Sequence, residues 1–148
     1  MHHDEADALG QVMWSAIHEG KSLYTSAQRV AWLAKPNAGA AWVNRLGTQI
    51  VWVALAHASP IGFMTLAHAG YVDFAYVHPK CQGQGVFSTL LAALEREARA
   101  RTLPRLWTHA SLMAEPAFAA RGFHVTRRET VARADQRLAR AEMEKVLT

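Results

Sequence analysis

Cysteine is nearly missing from this chain: Cys81 is the only one. No intrachain disulfide can form, and a reducing compartment, the cytoplasm, is expected. Long apolar runs are missing too. The longest, Ile50 to Ala56, falls far short of the roughly 20 residues that cross a bilayer, so no membrane partner is expected. The first residues, MHHDEAD, are acidic and polar, the opposite of a secretory signal. Eight histidines are present, but no two stand four apart on a helix and no cysteine completes a ligand pattern, so no metal is expected. Cys81 lies three residues after His78, yet an exposed loop thiol with no third partner reads as incidental and not as a nucleophile. There are no repeats, no linkers and no low-complexity segments. No basic run carries interleaved aromatics, so the chain lacks a nucleic-acid footprint.

What is present reads as one globular domain over residues 1–148, with 51% hydrophobic and 19% charged residues and room for a proper core. Net charge is +4, and the balance is uneven. Asp4, Glu5, Asp7 and Glu19 make the start acidic, whereas Arg121 to Lys145 is basic. A basic surface of this kind suits an anionic cofactor. Arg127, Arg128, Arg133, Arg137 and Arg140 are most simply a solvated face. They are also placed to bind an anion or to line a homodimer formed by strand pairing.

Periodicity orders the elements. Asp4 to Glu19 is a helix with Leu9, Val12, Met13, Ala16 and Ile17 as its apolar stripe. Thr25 or Ser26 caps a second helix running through Ala34, with Ala27, Val30 and Ala31 inward, and Ala40 to Leu46 forms a third. Gln49 to His57 is apolar on both faces, as in a strand inside a sheet. Ala58-Ser59-Pro60 turns it into Ile61 to His68, and Ala69-Gly70 leads into Tyr71 to Val77, completing an antiparallel meander. A helix beginning near Gly85 and a short strand, Arg105 to Ala110, give a strand-helix-strand unit, which demands parallel pairing. Ala114 to Ala120 is a short helix. Phe123 to Val131 and Gln136 to Val146 make a final hairpin. The class is α/β (α+β), with a mixed, mostly antiparallel twisted sheet flanked by helices.

The stretch from Tyr71 to Arg101 organises the rest. It reads strand, loop, then helix, with Gly83 and Gly85 where the helix begins. The first N–H groups of a helix lack intrahelical partners and the dipole is positive there, so an anion fits. A Walker loop would need Gly-Lys-Ser/Thr, but Val86-Phe87 follows Gly85. A dinucleotide fingerprint would need a third glycine where Ser88 stands. Gln82-Gly83-Gln84-Gly85-Val86 instead resembles motif A of the GNAT superfamily of N-acetyltransferases, Arg/Gln-x-x-Gly-x-Gly/Ala. Gln82 and Gly85 match, and Phe87 departs from the final small residue. A second segment, Trp107 to Phe123, looks like the family's motif B. Ala114 and Gly122-Phe123 match, Ser111 stands at the Asn place, and Phe118 occupies the place of a Tyr. The element order is that of a GNAT domain whose first strand is either Met1 to His3 or absent.

The resemblance implies an acyltransferase, with acetyl-coenzyme A as cosubstrate and an amine as acceptor. The carrier is expected between Tyr71–Val77 and Arg105–Ala110 as they splay. Its pantetheine arm would run along Ala75, Tyr76 and Val77, and its diphosphate would meet the N–H groups of Gln82, Gly83, Gln84, Gly85, Val86, Phe87 and Ser88. The amine then attacks the acetyl group directly. Asp73 is the first candidate base, expected on one face with Tyr71, Ala75 and Val77; pairing with an Arg of a neighbouring strand is the alternative. His109 is the second base candidate, with a packed, hydrogen-bonded role as its alternative. His78 is expected to cap the loop. Phe118 cannot protonate a leaving thiolate as the family's Tyr does; Ser111, Tyr76 or water could, and Phe118 is expected to pack on the end of the pantetheine. Tyr24, Trp32 and Trp42 either shape an acceptor pocket or belong to the helical layer. The leading activity is acetyl transfer to a small-molecule amine. Transfer to a protein or peptide amine, or a non-catalytic acyl-coenzyme A sensor, are the alternatives.

Overall fold

A computed structural model describes residues 1–148. The chain enters directly into α1 (His3–His18), so Met1 and His2 form no strand. Next come α2 (Ser26–Trp32), α3 (Gly39–Gly47), β1 (Ile50–Ala56), β2 (Ser59–Leu66), β3 (Tyr71–Val77), α4 (Val86–Ala100), β4 (Arg105–Ser111), α5 (Glu115–Ala119), β5 (His124–Arg133) and β6 (Gln136–Val146). One six-stranded sheet runs in the order β1-β2-β3-β4-β6-β5. All pairs are antiparallel except β3–β4.

The sheet is the middle of three layers. Leu90, Leu91, Leu94 and Ala98 of α4 pack with Met64, Leu66, Val72 and Leu106 on one face. Leu9, Val12, Met13 and Ile17 of α1, with Trp42 and Leu46 of α3, cover Phe63 and Phe74 on the other. The α1 stripe expected from the sequence is buried except for half-buried Ala16, and α4 buries a stripe of its own. On the solvent side of α4, Glu95–Arg99 and Glu97–Arg101 pair four residues apart at 3.4 and 3.0 Å.

Several expectations need correction. Gln49–His57 was expected inside the sheet, but β1 is its edge, with Leu55 63% and Val53 38% exposed. No strand pairs with its outer side, so the apolar outer positions face solvent. The β1–β2 turn is His57-Ala58, both at positive φ, one step earlier than read. Pro60 sits inside β2 opposite Leu55, where the register shifts; proline has no N–H for the ladder. Helix α2 stops at Trp32 because Leu33 is extended and its carbonyl accepts from His18 Nε2 at 2.7 Å. Thr25 caps α2 through a reciprocal box with Gln28. None of its residues is fully buried, and Val30 is exposed.

The correction that matters most for function lies in β3. Strict alternation would put Val72 and Phe74 on one face, yet Val72 packs in the α4 core and Phe74 in the α1 core. On β2, Met64 and Leu66 are two residues apart, while their β3 partners Ala75 and Val72 are three apart. The extra residue is a β-bulge. Thr65, fully buried, holds it by accepting the Phe74 N–H on its hydroxyl at 3.1 Å.

Candidate active site

Strands β3 and β4 touch only at Tyr71–Trp107 and Val72–Thr108, where the Thr108 hydroxyl donates to the Val72 carbonyl at 2.8 Å. Beyond that clamp they part. A strand points alternate N–H and C=O groups to either side, so from Asp73 to Val77 the side of β3 facing β4 has no strand to bond. The expected splay is present.

A cleft of about 400 Å³ fills the gap. Ala75, Tyr76, Val77, Gln82, Gly83, Gly85, Val86, Phe87, Ser88 and Ser111, all expected here, line it. Within the protein, no acceptor meets the N–H groups from Gly83 to Ser88. Gly85 is the N-cap of α4 at φ 83, and Gly83 sits at φ 76, a region other residues enter only with strain. The first turn of α4 has no acidic residue, so its positive end is not neutralised from within. Gln82 fixes the loop by donating its amide to the Val77 carbonyl at 3.1 Å. His78 caps the preceding turn, its Nδ1 accepting from Lys80 N–H at 3.2 Å. This concave run of bare donors fits a diphosphate.

Two residues expected at this cleft lie outside its lining. Gln84 does not line it; its side chain turns away to the Lys80 carbonyl at 3.4 Å. Phe118 does not line it either. That ring is 1% exposed and packs edge-on to Phe87 and Phe123, each 5.0 Å away. It is core and not a wall for the carrier. Conversely, Ala16, Ile17, Lys21 and Ser22 at the end of α1 do line the cleft, as does Met113. The sequence offered no signal for them beyond a helix stripe and its flanking loop.

A second cavity of about 370 Å³ adjoins the first, and the two share only Trp32, Tyr76 and Ser111. Asp73 and His109 line this second cavity. The bulge sets Asp73 apart from Ala75 and Val77, with which it was expected to share a face. Arg45, at the end of a helix and not on a neighbouring strand, grips the Asp73 carboxylate with both arms at 3.0 and 3.1–3.2 Å, and Gln49 adds an amide at 2.7 Å. His109 Nδ1 bonds the Tyr71 hydroxyl at 2.9 Å. Its Nε2 lies 3.7 Å from Glu129 and 3.8 Å from Glu142. Burial, and then the Arg140 charge, hold this imidazole below its ordinary 6.5 despite those carboxylates. Burial pushes the Tyr71 and Tyr76 phenols up, with the Asp73 charge adding to it, so both stay protonated.

Of the aromatic trio, Trp32 stands between the cavities. Tyr24 lines the second, and its hydroxyl donates to the Ala139 carbonyl at 2.6 Å and accepts the Leu112 N–H at 2.9 Å. Trp42 lines neither. It is 4% exposed in the α1 core, and its indole N–H donates to the Ala6 carbonyl at 2.6 Å. Ser111 Oγ accepts the Ala114 N–H at 3.1 Å, which leaves its own proton to point elsewhere.

A three-layer domain with one splayed parallel pair and an anion-accepting helix start beneath it is the architecture of an acyltransferase of the GNAT type. A family model described as an acetyltransferase (GNAT) domain matches residues 22–146. A GCN5-related N-acetyltransferase from Rhodopseudomonas palustris superposes with a TM-score of 0.85 at 30% identity, covering 99% of this chain and 92% of that one. The chain belongs to the GNAT acetyltransferase family. An uncharacterized N-acetyltransferase of Escherichia coli (strain K12), YafP, is 33% identical over 91 residues, a stretch spanning 61% of this chain and 56% of that relative. The PaiA N-acetyltransferase of Thermoplasma acidophilum, solved in complex with coenzyme A, shares the fold with a TM-score of 0.73 at 16% identity, over 99% of this chain and 96% of that one.

Proposed function

We propose that this chain moves the acetyl group of acetyl-coenzyme A directly to an amine of a small molecule. The observation that carries the proposal is the run of unpartnered N–H groups from Gly83 to Ser88, all but Gln84 on residues that line a cleft bounded by a partnerless length of β3. Donors for a diphosphate and a free strand edge for an amide-bearing arm are what this carrier needs, and the coenzyme A held by the Thermoplasma protein of the same fold supports the choice.

The carrier supplies an acetyl thioester; the residues around it orient and move protons. Ala75 to Val77 offer backbone groups to the arm, and the α4 start holds the diphosphate. The acetyl end then lies by Trp32, Tyr76 and Ser111, where the two cavities meet. The amine approaches through the second cavity, and much of the rate comes from holding the two in line.

His109 is the better base of the two candidates. Asp73 has its oxygens engaged by Arg45 and Gln49. His109 is neutral near pH 7 and shares a hydrogen bond with Tyr71. The amine proton passes to the Tyr71 oxygen as the Tyr71 proton passes to Nδ1, and Glu129 and Glu142 face the charged ring from Nε2. On the other side, the free proton of Ser111 meets the departing sulfur. A thiol of pKa about 8.5 leaves readily as thiolate, so this help is worth less than it would be for an alkoxide.

Calorimetry with acetyl-coenzyme A, on the parent protein and on Gly85→Val, tests the proposal. The parent binds. The variant puts a β-branched side chain at φ 83 and its methyls where a phosphate must approach, and binding falls at least tenfold. A parent that shows no binding, or a variant that binds as well as the parent, overturns it.

A further inference from the structure

The second cavity carries more positive charge than a plain amine acceptor calls for. Arg45, Arg133 and Arg140 line it against a single carboxylate, Asp73. Two of the three are committed. Arg45 holds Asp73 at 3.0 Å, and Arg140 holds Glu129, a neighbour just behind the wall, at 2.8 Å. Arg133 pairs with no carboxylate, and its guanidinium reaches only the Ala132 carbonyl at 2.9 Å. An arginine stays charged at any working pH, and its planar fork matches a carboxylate. The rest of the wall mixes apolar residues, Trp32, Leu33, Phe74, Val131 and Leu138 among them, with the polar groups of Asn37, His109, Ser111 and three tyrosines.

The position of Arg133 is fixed by the fold. It pairs with Gln136 at the turn of the β5–β6 hairpin, whereas Arg140 sits opposite Ser111, where the cavities meet. The hairpin is tied down at two points within that span. Gln28 of α2 donates to the Arg137 carbonyl at 2.9 Å, and Tyr24 donates to that of Ala139. From Arg140 to Gln136 is about 13 Å along a strand, less what the side chain reaches back. The cavity thus presents proton-accepting chemistry at one end, aromatic and apolar side chains interspersed with polar ones between, and an unmatched guanidinium at the other.

We propose that the acceptor is an amino acid in the broad sense: a primary amine at one end, an apolar or aromatic body, and a carboxylate at the far end received by Arg133. This rests on the acetyl-transfer assignment above and names the acceptor class of the same site. Without such a ligand, Arg133 is one more solvated cation of a basic hairpin, and the test below tells the two apart.

The test uses matched amines that differ only in the acid: 4-(aminomethyl)benzoate against benzylamine, and 6-aminohexanoate against hexylamine. Thiol release from acetyl-coenzyme A gives kcat/KM for each, after calorimetry has established carrier binding. The acid member of a pair is favoured at least tenfold. Arg133→Ala collapses the ratio to within about twofold of unity, and Arg133→Lys restores part of it. As a readout free of chemistry, 4-methylbenzoate, which has no amine, competes with the acid amines and stops competing in Arg133→Ala. Equal or faster turnover of the neutral amines overturns the proposal. So does a ratio that Arg133→Ala leaves in place. Carrier binding with no turnover of any of the four amines sinks the acceptor class alone, whereas absence of carrier binding sinks the acetyl-transfer assignment beneath it.

Discussion

His109 illustrates how far a single residue's surroundings decide its use. Its ring is part-buried, bonded to Tyr71, and faces two carboxylates beyond hydrogen-bond reach. Since its folded pKa lies below the ordinary 6.5, the folded state binds fewer protons than the unfolded state in the window between the two. Stability therefore rises with pH across that window and is lost on acidifying below 6.5. As the proposed base it must be neutral, so kcat/KM is expected to fall on the acid side with an apparent pKa below 6.5. In His109→Gln that limb disappears, and the rate drops by about 10²–10⁴ if the imidazole is the proton acceptor. A pH–rate profile of the two proteins decides it, and an unchanged limb in the variant removes His109 from the role. Asp73 had looked the stronger candidate in the bare sequence. Its partner Arg45 lies 28 positions away on a helix, and sequence spacing gives no access to such a pairing.

At the scale of elements, the strand-loop-helix around Gly85 was legible because two local signals coincide: glycines that tolerate positive φ, and an apolar period that changes from strand to helix. The α1 stripe was legible for the same reason. The bulge in β3 was not. It depends on the Thr65 hydroxyl reaching the Phe74 N–H across a strand pair, and it moves Asp73 away from its expected neighbours. The edge position of β1 was hidden as well, since an apolar strand looks the same whether or not a neighbour covers it. Helix α5 misled in another way. Phe118 stands where the family carries a Tyr, yet the ring is core, wedged between Phe87 and Phe123. Phe118→Tyr would bury a hydroxyl in an apolar cluster and cost about 1–3 kcal/mol, without raising kcat. Denaturant melts and steady-state rates on that variant check both halves. A faster enzyme would show that α5 can turn this side chain toward the cleft.

For the molecule as a whole, one sheet does two jobs. Where β3 and β4 meet it is the wall between two cores; where they part, two cavities adjoin. The α4 side collects donors for an anion, the α1 side collects guanidiniums and aromatics, and no helix is long and apolar enough to cross a membrane. The bulge assigns Asp73 to the second side while leaving Ala75 to the first.

That arrangement also bears on the kinetics of the proposed transfer. Because the two chambers meet only at Trp32, Tyr76 and Ser111, each can be filled while the other is occupied, and nothing on the protein need store the acyl group between visits. Double-reciprocal plots at several fixed acetyl-coenzyme A concentrations will intersect to the left of the axis; parallel lines would mean that a side chain carries the acetyl group after all.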